Sequence, residues 1–348
     1  MGSHPDSTFW VGASTLGRIG SPAAGIRRLV LSDQRMTLGE PIDVGANPTF
    51  LARARAGADT GDAVIAVVHE LPEGLVSTWA GVEDLQARSE PISTGAAAPC
   101  HLAYSEEAGA LYVANYHGGT VAAFRAASAL QGSTVLTLTG GSVHPLRQVQ
   151  PHPHQVVHDD ARRRLLVPDL GADRIRSVSF DPERPWDLEH DRRSDIALHA
   201  GAGPRHLVVA GRLAIVANEL DRSLSIVDLH EGMEMAWTHV GSDAPPRFGL
   251  SAVRVTRAGM VLVADRDVDG VHALHLDATA ARLEPVASLK TGGRHPRDME
   301  LTGDERTLLV ADQASDSIAA IALGRDGIPQ SVVDVISTPA PTCLLHTA

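Results

Sequence analysis

The chain has 348 residues, 43% hydrophobic but only 3% aromatic, and a formal net charge of −12. That composition describes a globular protein able to bury a sizeable core, not a disordered one. Its acidity argues against nucleic acid and anionic membrane as partners, because a negative surface is repelled by both; a small anionic substrate would need a local cationic pocket.

The N-terminal stretch "MGSHPDSTFWVGAS" lacks a cationic segment followed by a long apolar core, so no secretory signal is expected and residues 1–6 read as a disordered leader. No run approaches the roughly 18 apolar residues that cross a bilayer. The two cysteines, Cys100 and Cys343, do not make a disulfide framework, and free thiols in a cytoplasmic protein are the expectation.

From residue 47 onward a segment recurs: "NPTFLARA", "APCHLAYS", "PHPHQVVH", "GPRHLVVA", "FGLSAVRV", "RHPRDMEL" and "APTCLLHT". Pro48, Pro99, Pro153, Pro204, Pro296 and Pro341 align, with Gly249 in the fifth slot, at spacings of 51, 54, 51, 45, 47 and 45 residues. A fixed period of this size signals an array of like units. Each segment leads into a short apolar run ended by a polar pair ("VVHEL", "YVANY", "LVPDL", "IVANEL", "LVADRD", "LVADQA"), which suits a strand buried on both faces. Turn residues and a third strand follow, as in "TVAAFRA", "RIRSVSF", "SLSIVDL" and "SIAAIAL".

Several strands per unit predict an all-β, seven-bladed β-propeller formed by residues 1–348 as one domain. Six complete units begin near residues 48, 99, 153, 204, 249 and 296. The closing blade is shared: "PTCLLHTA" supplies its innermost strand, and "TFWVGAS" and "GIRRLVL" supply the others, which removes the exposed sheet edge. A solenoid of the same period is the alternative, and it would need terminal caps that the sequence does not show.

Within a blade the first strand begins, and the second ends, on one face. Two columns of equivalent positions follow. After the proline slot stand Thr49, Cys100, His154, Arg205, Leu250, Arg297 and Thr342; after the second strand stand Glu70, Tyr116, Leu170, Glu219, Arg266 and Gln313. These columns select His154, Arg205, Glu219 and Arg266 as a general base, a carboxylate and cationic groups for an anionic substrate. His152, two residues from His154 in an extended segment, shares its face and joins Arg297, Glu70 and Tyr116 as substrate contacts. The bland alternatives are specific: Arg266 in an ion pair with Glu219, Arg297 paired locally with Asp298, and His158 as part of the fold. Asn115, Asp169, Asn218, Asp265 and Asp312 read as turn hydrogen-bonders.

The motifs "VANYHGGTVAAF", "PHPHQVVHDD", "LVPDLGADRI", "GPRHL", "VANEL" and "HPRDMEL…LLVADQASDSI" resemble the lactonase family of seven-bladed propellers, which includes bacterial 6-phosphogluconolactonases and fungal carboxy-muconate cyclases. The resemblance implies catalytic roles for the histidine of P-H-P-H, the arginine of G-P-R-H, the glutamate of N-E-L and a further arginine, here His154, Arg205, Glu219 and Arg266. It departs from the family in the first strand, "WVGASTLGRIG", and in the blade near residue 249. Segments 125–147 and 183–200 match nothing in it.

The expected function is hydrolysis of a sugar lactone, 6-phosphogluconolactone first, by a monomer or weak homo-oligomer without a cofactor. A lactone-forming cycloisomerase acting on a muconate-like dicarboxylate is the chemical alternative, and a noncatalytic binding platform is the alternative of another class. Metal is not expected: "HPH" lacks the spacing of a helical zinc pair, and arginines at the mouth oppose a dication, although Glu70, Asn115, Asp169 and Asn218 imitate a calcium set.

Overall fold

Each repeat turns its apolar runs into an antiparallel sheet, and the computed structural model contains seven such sheets. It describes residues 6–55, 63–81, 85–88, 90–126, 130–159, 162–181, 183–241 and 244–347. The leader expected over residues 1–6 lies, apart from Asp6, outside the described residues. Contacts group the chain into two compact units, residues 44–205 and residues 1–43 with 206–348.

Blade 4 illustrates the pattern: Pro204–Ala210, Leu213–Asn218, Ser223–Asp228 and Met233–His239 pair in that order. The second strand is buried at every position, whereas the outermost alternates between exposed and half-buried. The difference follows from layering, since an inner strand is covered by the sheets on both sides while the outer one meets water on one face. The closing blade is built as expected, from Arg35–Leu38, Arg27–Ser32, Ser7–Ala13 and Pro341–His346. Segments 125–147 and 183–200, which carry no usable motif, contain the outer strands Leu130–Thr137, Arg184–His190 and Ile196–Ala197.

Small aliphatic side chains fill the space between sheets. In the first unit Leu111, Val113 and Phe124 of blade 2 pack against Val64, Ala66 and Val68 of blade 1. In the second unit Ile215, Leu224 and Ile226 of blade 4 meet Val253, Val261 and Val263 of blade 5. An Ala- and Val-rich interior lets sheets approach closely, which is why the core needs so few aromatics.

Two expectations need correction. In blade 5 the innermost strand is Leu250–Val255, and Leu250 pairs with Asp265 as Pro296 pairs with Asp312. Leu250, not Gly249, therefore occupies the proline slot, and Ser251 is the residue after it. Gly249 holds the left-handed position just before the slot, with φ +72°, where a Cβ would lie 1.7 Å from the Glu219 carbonyl oxygen. Only glycine fits there. In blade 3 the first strand is cut to Val157–Asp159, and Pro153 makes only an isolated bridge to Asp169. Pro151 and Pro153 lack the N–H groups a ladder needs, and the His152 N–H is diverted to the Asp169 carboxylate at 2.7 Å.

Candidate active site

The two columns have a common backbone cause. The residue before the proline slot is left-handed at Asn47, Ala98, Gly203, Gly249, His295 and Ala340. Its carbonyl accepts the N–H of the residue after the second strand: Glu70 to Asn47 at 3.0 Å, Tyr116 to Ala98 at 2.8 Å, Arg266 to Gly249 at 3.2 Å and Gln313 to His295 at 3.1 Å. The residue after the slot is skipped by the strand register at Thr49, Cys100, Arg297 and Thr342. Such a bulge re-aims a side chain out of the sheet pattern. Post-proline side chains accordingly reach the next blade: Cys100 Sγ donates to the His154 carbonyl at 3.3 Å, and Ser251 Oγ to the Pro296 carbonyl at 2.6 Å.

In the first unit the histidines gather around Tyr116. The His152 ring stacks on Tyr116 with centroids 4.5 Å apart, and its Nδ1 bonds the Tyr116 carbonyl at 2.9 Å. His154 meets the same ring edge-on at 5.3 Å, with Nδ1 3.8 Å from Cys100 Sγ. The Tyr116 hydroxyl accepts an Arg147 N–H at 3.0 Å. Arg147 was invisible in the sequence because it sits in a segment without a motif. The structure thus brings together His152, His154 and Tyr116 as imidazoles and a phenol with a cation behind them, a set suited to moving a proton and orienting a polar ligand. His158 packs on Tyr112 and Phe180 with centroids 5.1 and 6.1 Å away. Arg205 is 2% exposed at the head of Pro204–Ala210, and Glu70 is half-buried beside Asn47, whose Nδ2 donates to its carbonyl at 2.7 Å.

In the second unit Glu219 and Arg266 form a buried ion pair, Oε2 to Nη2 at 2.8 Å. Arg266 also donates to the carbonyls of Phe248, of Gly249 at 3.2 Å and of Leu250 at 3.1 Å. The next residue, Asp267, takes the amides of the same loop: Arg247 and Phe248 at 3.0 Å, and Gly249 at 2.8 Å. An adjacent cation and anion thereby fix loop 247–250 by its carbonyls and its amides at once. Arg266 lines a cleft of about 390 Å³ together with Arg247, Phe248, Asp267, Asp269, Arg294 and His295. Phe248 meets the His295 ring edge-on at 4.9 Å, and the Arg247 guanidinium lies 4.8 Å over Phe248. The post-proline and post-strand columns pointed to Arg266 and missed Arg247, Arg294 and His295. For Arg294 and His295 the signal was the "GGRHP" stretch, where the left-handed residue before the proline faces the cleft.

Arg297 is half-buried, and Asp298 receives Arg254 Nη2 at 3.4 Å and the Leu344 N–H at 2.9 Å. The turn residues bond as their type suggests: Asn115 donates to Thr94 O and Thr120 Oγ1, Asn218 to Ser223 and Ser225, and Asp169 accepts from Arg176. Among the described residues, no group of three or more His, Cys, Asp or Glu has a metal-holding geometry.

Comparison with known proteins agrees with this architecture. A protein of Bacteroides fragilis described as a candidate 6-phosphogluconolactonase superposes with a TM-score of 0.87 at 24% identity, covering 99% of this chain and 98% of its own. The periplasmic gluconolactonase of Pseudomonas aeruginosa superposes with a TM-score of 0.84 at 25% identity, covering 99% of each chain. An uncharacterised Staphylococcus aureus protein is 25% identical over 252 residues, 68% of this chain and 71% of its own length. Residues 8–346 match the family described as "Lactonase, 7-bladed beta-propeller". The chain belongs to that family.

Proposed function

We propose that the protein hydrolyses a sugar lactone, with 6-phosphogluconolactone the first candidate. The observation that carries this reading is that four ionisable side chains at the family's motif positions are all buried: His154 at 7%, Arg205 at 2%, Glu219 at 6% and Arg266 at 8% exposure. Charged groups are rarely buried so completely unless paired or put to use. In the proposed reaction water adds to the lactone carbonyl, the ring C–O bond breaks, and the ring oxygen leaves as a hydroxyl. His154 takes the water's proton and returns one to the leaving oxygen, a role that contributes about 10² to 10⁴-fold. Arg205 stabilises the developing oxyanion.

The Pseudomonas relative bears the name of a gluconolactonase, so phosphorylation of the substrate is the open choice. The test is a rate panel of phosphorylated and unphosphorylated sugar lactones, measured against spontaneous hydrolysis, with a muconate-type dicarboxylate as the substrate of the reverse chemistry. Enzyme-dependent opening of one lactone supports the proposal. Ring closure of the dicarboxylate alone would move the protein to the cycloisomerases, and no turnover of any would leave a binding platform.

A further inference from the structure

We infer that Arg247 and Arg294, not the motif arginine Arg266, hold the anionic tail of a sugar acid, and that they set the preference for an acid with a second charged group over one whose tail is neutral. The inference deepens the lactonase reading and rests on it only for the sugar part of the ligand. Arg266 is neutralised by Glu219 at 2.8 Å and spends further N–H groups on the loop carbonyls. Its charge is therefore already matched, and its work is to fix loop 247–250.

The other two cations of the cleft are not so occupied. Arg247 has no ion pair or side-chain hydrogen bond among the described residues; its contact is the face of Phe248, at 4.8 Å. A guanidinium stacked flat on an aromatic ring is held in place with its N–H fork still available, because stacking consumes none of its donors. Arg294 donates one N–H to the Ala314 carbonyl at 3.3 Å and has no salt bridge among the described residues.

Asp267 and Asp269 line the same cleft and Asp316 feels the Arg294 charge, but each of these carboxylates is already bonded to groups of its own. Asp267 accepts three loop amides, and Asp269 accepts the His295 N–H at 2.8 Å. Asp316 accepts the Ser21 N–H, the Ser21 hydroxyl and the Ala340 N–H. In a protein of net charge −12, a cleft in which Arg247 and Arg294 make no salt bridge among the described residues is suited to an anion. A phosphate monoester or a second carboxylate has the chemistry to bridge them, and about 390 Å³ accommodates a six-carbon acid.

The test is calorimetric titration of 6-phosphogluconate, glucarate and gluconate into wild type, Arg247→Ala/Arg294→Ala, Arg247→Lys/Arg294→Lys, and Arg325→Ala as an exposed charge control outside the cleft. Wild type should bind 6-phosphogluconate or glucarate, the two acids with a second charged group, about tenfold more tightly than gluconate, the size of one charge-assisted contact. The double alanine variant should lose that advantage while its gluconate affinity changes less than about twofold; the lysine variant should keep part of it; Arg325→Ala should keep all of it. Whichever of the two acids gains identifies the tail as phosphate or carboxylate. No preference for either over gluconate in wild type, equal loss for all three acids, or an unchanged preference in a folded double alanine variant each overturns the inference. Turnover with unaltered preference in that variant would leave the lactonase reading standing and remove this cleft; tail-dependent binding without any turnover would do the reverse.

Discussion

Replacing Glu219 by glutamine tests the buried pair on which loop 247–250 depends. At 2.8 Å the attraction between Arg266 and Glu219 is about 6 kcal/mol at an effective dielectric of roughly 20. Desolvation of the two ions offsets much of it, and removing one partner of a buried pair typically costs about 3–5 kcal/mol. Glutamine keeps an acceptor oxygen in place, and Arg266 retains the carbonyls of Phe248, Gly249 and Leu250. The expected loss is therefore smaller, about 2 kcal/mol. With an unfolding entropy of ~2.1 cal/mol/K per residue over 348 residues, that is a fall of about 3 °C in Tm if the whole chain melts together, and more if a smaller unit does. Calorimetry and urea unfolding measure it, and the Glu219→Gln/Arg266→Met cycle isolates the pair from each residue's other contacts. A change below about 0.5 kcal/mol would equate the pair with a surface ion contact and refute the reasoning.

Gly249→Ala should abolish folding or cost more than about 4 kcal/mol, because its Cβ would stand 1.7 Å from the Glu219 carbonyl oxygen at φ +72°; Gly259→Ala, at φ +80° with open space, should cost only about 1–2 kcal/mol in urea unfolding. Burial, with the nearby Asp269 charge adding to it, pushes the Asp312 carboxyl up to about 7, although Thr291 Oγ1 donates to it at 2.8 Å. Its folded value lies above its unfolded one, so the native state binds the extra proton and stability should fall as pH rises from about 4 to about 7; Asp312→Asn should flatten that decline, by at most about 3 kcal/mol between urea melts at pH 5 and 8. Chelation with EDTA should leave lactone opening unchanged, since the three arginines of the cleft oppose a dication beside Asp267 and Asp269; a loss restored by calcium would contradict this.

The sequence made the repeat legible because proline marks the entrance of nearly every inner strand, and apolar runs mark the strand behind it. The sharing of the closing blade followed from the same count, and Ser7–Ala13 does pair with Pro341–His346. Where the marker was missing the phase slipped: with leucine in the proline slot of blade 5, the neighbouring Gly249 took its place by default. The glycine was a real signal, but of a left-handed backbone pressed against Glu219. Bulges and left-handed residues also explain the partial view of the site. A strict two-residue alternation does not foresee that the residue before the proline also faces a cleft, as His295 does. Nor could periodicity reveal Arg147, which reaches Tyr116 from a loop without a repeat. The Arg266–Glu219 pair was visible only as an alternative, since a ligand-binding arginine and a paired one are spelled alike.

The most direct test of the catalytic reading is the pH–rate profile of lactone opening by wild type and by His154→Gln. With His154 as the base, wild-type kcat should rise with pH through a single ionisation that belongs to this histidine. The glutamine variant should keep its fold and nearly its KM, lose about 10² to 10⁴-fold in kcat, and show no such ionisation in what remains. A folded His154→Gln protein with full activity and an unaltered profile would contradict the account.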